Sequence, residues 1–195
     1  METPTVWPFV ERSEEMNKEE AMIFLEGLNA QFPEEIKFSP DGIYDRYLIV
    51  SAKNYATKSD NKIVIKGASL KSNSRELALR EFLERVLVAI MNDESHLVAS
   101  IHAEYESEIE NIKDPRRWAA RKTITESVLY SNGTTQRKIR KAIQGLGLGL
   151  GDKVWVLFRP DGSLIAMDNW KGDHCKKRLK AKLKKTFEIL EGVFK

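Results

Sequence analysis

Residues 53–71, KNYATKSDNKIVIKGASLK, decide how the chain is read. A Lys-x-Tyr tripeptide, Lys53 to Tyr55, ends an apolar run that begins near Tyr44 and is rich in aromatic and β-branched residues, the composition of a strand. Lys58-Ser59-Asp60-Asn61 then reads as a turn, and Ile63, Val64 and Ile65 as the next strand, which closes on Lys66-Gly67. Connections this short cannot make a parallel crossover, so the strands form an antiparallel meander. Lysines at strand ends, with a tyrosine hydroxyl between them, are placed to hold a phosphate backbone.

On the N-terminal side, Asn17 and Glu20 have capping-box spacing. Ala21, Met22, Leu25 and Leu28 continue as a helical stripe, and Pro33 marks the exit. Glu34 to Phe38 reads as a short strand, followed by the turn Ser39-Pro40-Asp41-Gly42. Trp7, Phe9 and Val10 are too apolar for a free tail and are expected to dock on the body or on another chain.

On the C-terminal side, Ser74 can cap a helix over residues 75–92. Its stripe of Leu79, Phe82, Leu83, Val86, Leu87 and Ile90 is core. A second helix starts at Ser95 and carries Leu97, Ile101, Tyr105 and Ile109 four apart. Its other side bears Glu104, Glu106, Glu108 and Glu110. A metal-dependent hydrolase could use such carboxylates, but on a helix they fan around the surface, and solvation is the simpler reading. His96 and His102 are six residues apart, which does not bring them onto one side of a helix, and no role is assigned to them.

The charge changes sharply around Lys113–Trp118. Residues 1–112 hold 12 Lys/Arg against 21 Asp/Glu, a net of −9, whereas residues 113–195 hold 20 against 8, a net of +12. A basic half suggests a polyanionic partner; a set of solvated lysines is the plainer alternative. The cations fall in two groups: Arg137, Lys138, Arg140 and Lys141 on a short helix whose Ile139, Ala142 and Ile143 face inward, and a lysine-rich final helix over 173–194. In that last helix Leu179, Leu183, Phe187 and Leu190 form the buried stripe, and Lys176 and Lys180 lie among the solvent-facing cations. Between these groups, Gly145–Gly151 alternates Gly and Leu, but a strand follows it, Lys153–Arg159, so neither a P-loop nor a dinucleotide fingerprint is present. Pro160-Asp161-Gly162 turns that strand into a hairpin with Ser163–Met167.

The 195 residues suffice for one large or two small domains, and at 42% hydrophobic content they can bury a core. No apolar run approaches the roughly 18 residues of a membrane span, and no basic-then-apolar leader opens the chain. With one cysteine, Cys175, and three histidines, neither an internal disulfide nor a structural zinc is expected. The chain is read as soluble and cytoplasmic, with no membrane association.

In order and spacing, these segments resemble the carboxy-terminal part of a family-B (α-like) DNA polymerase, mostly the phage-type versions. Glu19–Ile43 looks like the palm helix and strand after the metal-binding aspartate motif. Asp45–Tyr55 looks like the strand ending in the family's K-K-R-Y motif, which falls here on Ala52-Lys53-Asn54-Tyr55, keeping the second Lys and the Tyr. Lys66-Gly67 with Ser74–Val88 looks like the family's K-G segment and the helix after it, though without its double arginine; Lys71 and Arg75 are the nearest charges. Trp118–Trp170, with GDKVWVLF at its centre, looks like the thumb.

The resemblance implies an α+β fold: an antiparallel β-meander packed with helices, the distal palm over 1–94, followed by a mostly helical thumb with a β-hairpin over 95–195. It implies that Lys53 reaches the minor groove of primer–template DNA, that Tyr55 meets a primer phosphate, and that Lys66 faces the duplex. Lys71, Arg137, Lys138, Arg140, Lys141, Lys176 and Lys180 complete the expected DNA-binding set. Neither the family's nucleotide-binding motif nor its Y-G-D-T-D motif occurs in this chain. Asp41, Asp45 and Asp60 lie on turns and a strand end, so no catalytic residue and no metal ligand is assigned. Exonuclease, fingers, both aspartates and Mg²⁺ are expected in a larger partner chain, and this chain, a split subunit or a fragment, is expected to be inactive alone. A free-standing nucleic-acid-binding protein of the same architecture is the alternative.

Overall fold

The structure is a computed structural model and describes residues 17–40, 42, 44–72 and 75–190. Ser74, Asp41 and the Trp7–Val10 segment lie outside the described residues. The chain divides into two compact units at Tyr44/Asp45.

In the first unit, helix α1 (Lys18–Asn29) begins on the expected capping box. The Glu20 amide donates to Asn17 Oδ1 at 2.9 Å, and the Asn17 amide donates to Glu20 Oε2 at 3.2 Å. The following segment corrects the sequence reading, because Glu34–Phe38 is irregular rather than a strand. Among the described residues no strand pairs with it. Instead Asn29 uses both ends of its amide on Phe38, donating to its carbonyl at 2.9 Å and accepting from its N–H at 2.7 Å. The loop is thereby folded back onto the helix end, with Phe32 and Phe38 edge to face at 5.0 Å.

The second unit opens with three antiparallel strands in sequential order, β1 (Arg46–Ser51), β2 (Asn54–Ser59) and β3 (Lys62–Lys66). The meander is as expected, but it contains two tight turns where the sequence showed one. The apolar strand ends at Ser51, and Asn54 starts a new one. Leu48, Val50, Ala56, Ile63 and Ile65 lie on the side facing the main core. A single-turn helix, α2 (Ala68–Lys71), follows.

Helix α3 (Leu77–Met91) packs on that sheet. Phe82, Val86 and Leu87 are fully buried, and Leu79 and Leu83 nearly so, as the stripe required. Each such side chain contributes about 1.5–3 kcal/mol by leaving water. A turn of 3₁₀ helix (Ser95–Leu97) leads into α4 (Val98–Glu110), which buries Ile101, Tyr105 and Ile109 against α3. Helix α5 (Pro115–Trp118) then brings the Trp118 indole, 1% exposed, into the same core. The charge change at Lys113–Trp118 is therefore not a break in packing.

The hairpin of the basic half gains a strand that the sequence did not show. β4 (Ala120–Thr123) pairs with β5 (Lys153–Phe158), which pairs in turn with β6 (Leu164–Ala166). Helices α6 (Glu126–Tyr130) and α7 (Thr134–Ala142) lie between β4 and β5 in sequence. β5 alternates between two apolar clusters. Val154 and Val156 join Ile124, Val128, Ile139 and Ile143, whereas Trp155 and Leu157 join the main core. Burial on both faces is why VWVLF carries no polar residue. Helix α8 (Lys176–Glu188) places Leu179 and Leu183 in the main core, with Leu190 just beyond its end. That core runs from Ala56 to Leu190 and includes residues on both sides of positions 94 and 95.

Candidate nucleic-acid interface

The corner between β1, β2 and β3 is set by backbone constraints. Lys53 occupies the turn from β1 to β2 with φ 62°, a left-handed conformation unusual for a side chain of this size. Asn54, 8% exposed, fastens the turn. Its Nδ2 donates to Ser51 Oγ at 3.0 Å and to the Ala52 carbonyl at 2.9 Å, and its Oδ1 accepts from the Ser69 amide at 2.8 Å. Gly67, with φ 113°, lies directly against this turn. A Cβ there would fall 2.3 Å from Asn54 Oδ1 and 2.4 Å from the Lys53 carbonyl oxygen. Only glycine allows that approach, so the Lys53 turn and the Lys66-Gly67 strand end are pressed together.

Register completes the corner. Tyr55 and Lys66 are cross-strand partners, and the Lys66 Nζ lies 5.6 Å from the centre of the Tyr55 ring. Tyr47 stacks on the other side of that contact, its ring centroid 5.1 Å from that of Tyr55. Lys53 and Lys66 are exposed, Tyr55 is half-buried, and Tyr47 and Ile49 are exposed on the same strand face. Tyr55 and Lys66 thus meet, and the Lys53 turn lies against the Gly67 that follows Lys66. An ammonium group and a phenol so arranged can bind phosphate oxygens by charge and hydrogen bonding.

Sequence reasoning missed the parts played by Asn54 and Tyr47, and it marked Gly67 only as the end of a strand and part of the K-G segment. Asn54 stands where the resembled motif has an arginine, and its amide is occupied by the turn instead. A lysine followed by a small polar residue between two apolar runs was the available sign of a second hairpin.

The other candidate cations are differently placed. Lys71 is exposed at the edge of a cavity of about 220 Å³ shared with Arg80 and Glu84. On α7, Lys138 donates to the Gly162 carbonyl at 2.7 Å and Arg140 donates to the Leu129 carbonyl at 2.5 Å, while Arg137 and Lys141 are exposed. On α8, Lys176 and Lys180 both bind the Glu110 carboxylate, at 2.9 and 2.8 Å. Hydrogen bonds from Lys180 and then Lys176 hold that carboxyl down to about 2.

The four α4 carboxylates are likewise not one cluster. Glu104 forms a two-bond fork with Arg85, which lowers its pKa. Glu108 accepts from Arg117 at 2.7 Å and from the Trp118 indole at 2.9 Å. Asp45 accepts from the Asp60 amide at 2.6 Å, a turn-stabilising role in the β-meander. Among the described residues, no group of three or more His, Cys, Asp or Glu could hold a metal ion. Among them, too, no helix is long and apolar enough to cross a membrane.

No protein-family model matches the sequence, and no curated protein sequence matches it. The fold does match a solved structure, the family B DNA polymerase from the hyperthermophilic archaeon Pyrobaculum calidifontis, with a TM-score of 0.68 at 14% identity. The match covers 89% of this chain and 24% of the polymerase chain, so this chain spans about a quarter of its neighbour's length. The fold is polymerase-like, an α+β arrangement of two small antiparallel sheets and helices.

Proposed function

We propose that this chain is the DNA-binding small subunit of a split family-B DNA polymerase. In this reading residues 1–94 complete the palm and 95–195 form the thumb. The chain grips primer–template duplex at the growing end. Catalysis belongs to a larger partner chain that carries exonuclease, fingers, both aspartates and the Mg²⁺ ions they hold. The observation that carries the reading is the corner itself. Two things support the reading: the fold is shared with part of a DNA polymerase, and Tyr55 and Lys66, which match motif residues in the sequence resemblance, are cross-strand partners beside the Lys53 turn. The absence of both aspartate motifs from the sequence supports assigning chemistry elsewhere.

Binding of this kind is independent of sequence and weakens with salt, because phosphate contacts release counterions. The purified chain should bind primer–template DNA and should incorporate no nucleotide when given Mg²⁺ and dNTPs. Incorporation by the isolated protein would overturn the split-enzyme reading. Purification from its native source should yield a complex with a chain bearing the aspartate motifs. Recovery of a DNA-binding protein without such a chain would favour the free-standing alternative.

A further inference from the structure

We propose that the cavity between the end of α6, the end of α7 and the Gly-Leu loop after it binds an unpaired nucleotide, base against its apolar lining and phosphate on the α7 cations. The proposal rests on the nucleic-acid reading above for its class of ligand. The cavity has a volume of about 430 Å³, within the range of small-ligand sites, roughly 300–1,000 Å³. Leu129, Ile143 and Leu148 give it apolar lining, and Arg140, Lys141 and Gln144 its polar groups. Gly145 and Gly147 complete it. The alternation of Gly and Leu thereby gains a use. Leu146 and Leu148 pack against the second apolar cluster. Gly145 and Gly147 have φ of 83° and 66°, and a Cβ at either would meet no atom within 4 Å. Their conformation asks for glycine, and the loop is left bare where a flat ring can approach its backbone.

The charge of the cavity is positive. Arg140 and Lys141 stand in the last turn of α7, where a helix end offsets only about half a charge, and no carboxylate lines the cavity. Arg140 is partly engaged, because its guanidinium donates to the Leu129 carbonyl. Lys141 is exposed and makes no ion pair among the described residues, which leaves its ammonium for a phosphate. Gln144 is exposed too, and its amide engages no described residue. An amide both donates and accepts, which suits the edge of a base. Tyr130 follows Leu129 directly and is 78% exposed, with no ring or cation against its own ring among the described residues. An aromatic face beside a cationic groove is the arrangement on which unpaired bases stack. An acidic peptide would use the lysine and leave the ring and the amide idle.

Fluorescence anisotropy of the full chain with a labelled oligothymidylate, and with an abasic strand of the same length, tests it. The oligothymidylate should bind about tenfold more tightly than the abasic strand, the order of one stacked base. Tyr130→Ala, at an exposed position outside both apolar clusters, should abolish most of that preference and leave the abasic strand and blunt duplex bound as before. Lys141→Gln should weaken both single strands by the same factor, since it removes a phosphate contact and not a base contact. Polyglutamate at matched charge should not displace the oligothymidylate. No binding of oligothymidylate, equal affinity for the two strands, a preference that survives Tyr130→Ala, or displacement by polyglutamate each overturns the proposal. If one of these occurs while Lys53→Ala still weakens duplex binding, this site falls and the DNA-binding reading stands. If base-dependent binding holds while duplex is not bound, that reading falls and the site stands.

Discussion

The β1–β3 corner and helix α8 both look basic in sequence, and the structure uses their cations differently. At the corner, a left-handed turn, a glycine and cross-strand register bring Lys53 and Lys66 to the surface beside an aromatic pair. On α8, Lys176 and Lys180 share Glu110, and Lys182 binds Glu76. Arg178 covers the Phe158 ring, 3.4 Å from its centre. Much of the charge asymmetry between the two halves is thus consumed inside the molecule. A count of lysines therefore overstates the positive charge that α8 leaves uncompensated.

The sharpest way to break this contrast is Gly67→Ala. A side chain at φ 113° costs about 1–3 kcal/mol in backbone strain, and its Cβ must also displace the Lys53–Asn54 turn. Denaturant melts should show at least that loss, and duplex affinity should fall further than in any single lysine variant. Next, Lys53→Ala should weaken primer–template binding roughly tenfold, as loss of a charge-assisted contact does, and lower the salt slope by about 1. An unchanged titration would remove the corner from the interface. Lys180→Gln should alter the salt slope by less than half as much, because its charge already faces Glu110; an equal effect would erase the distinction between the regions.

Glu110→Gln is the subtlest of the set. It releases two ammonium groups, so duplex affinity at low salt should rise slightly. It should also lower stability at neutral pH, with a defined pH course. The Glu110 carboxyl is held below its ordinary value of 4.5, down to about 2. A depressed folded-state pKa stabilises the fold above the ordinary value, and that contribution is lost as pH falls through the depressed one. Thermal melts of wild type and variant should therefore differ at pH 7 and converge between about pH 4.5 and 2.

Much of this was visible in the sequence where periodicity was strong. The stripes of α3 and α8, the Asn17 capping box and the Pro160-Asp161-Gly162 turn lie where the pattern put them. β2 was hidden because NYATKS has no apolar alternation, and because its turn relies on a lysine at positive φ rather than a glycine. β4 was hidden because ARKT is polar and becomes a strand only through pairing with β5. Glu34–Phe38 went the other way, its extended pattern overruled by the Asn29 side chain. The site was legible as a motif, but the partners of the basic residues were not. Glu110 and Lys176 are 66 positions apart, a separation at which sequence carries no pairing signal.

One strand has a further consequence. Since β5 lends alternate side chains to both apolar clusters, neither cluster can open without stripping the other of part of its lining. Heat or denaturant should therefore melt residues 45–190 as one cooperative block.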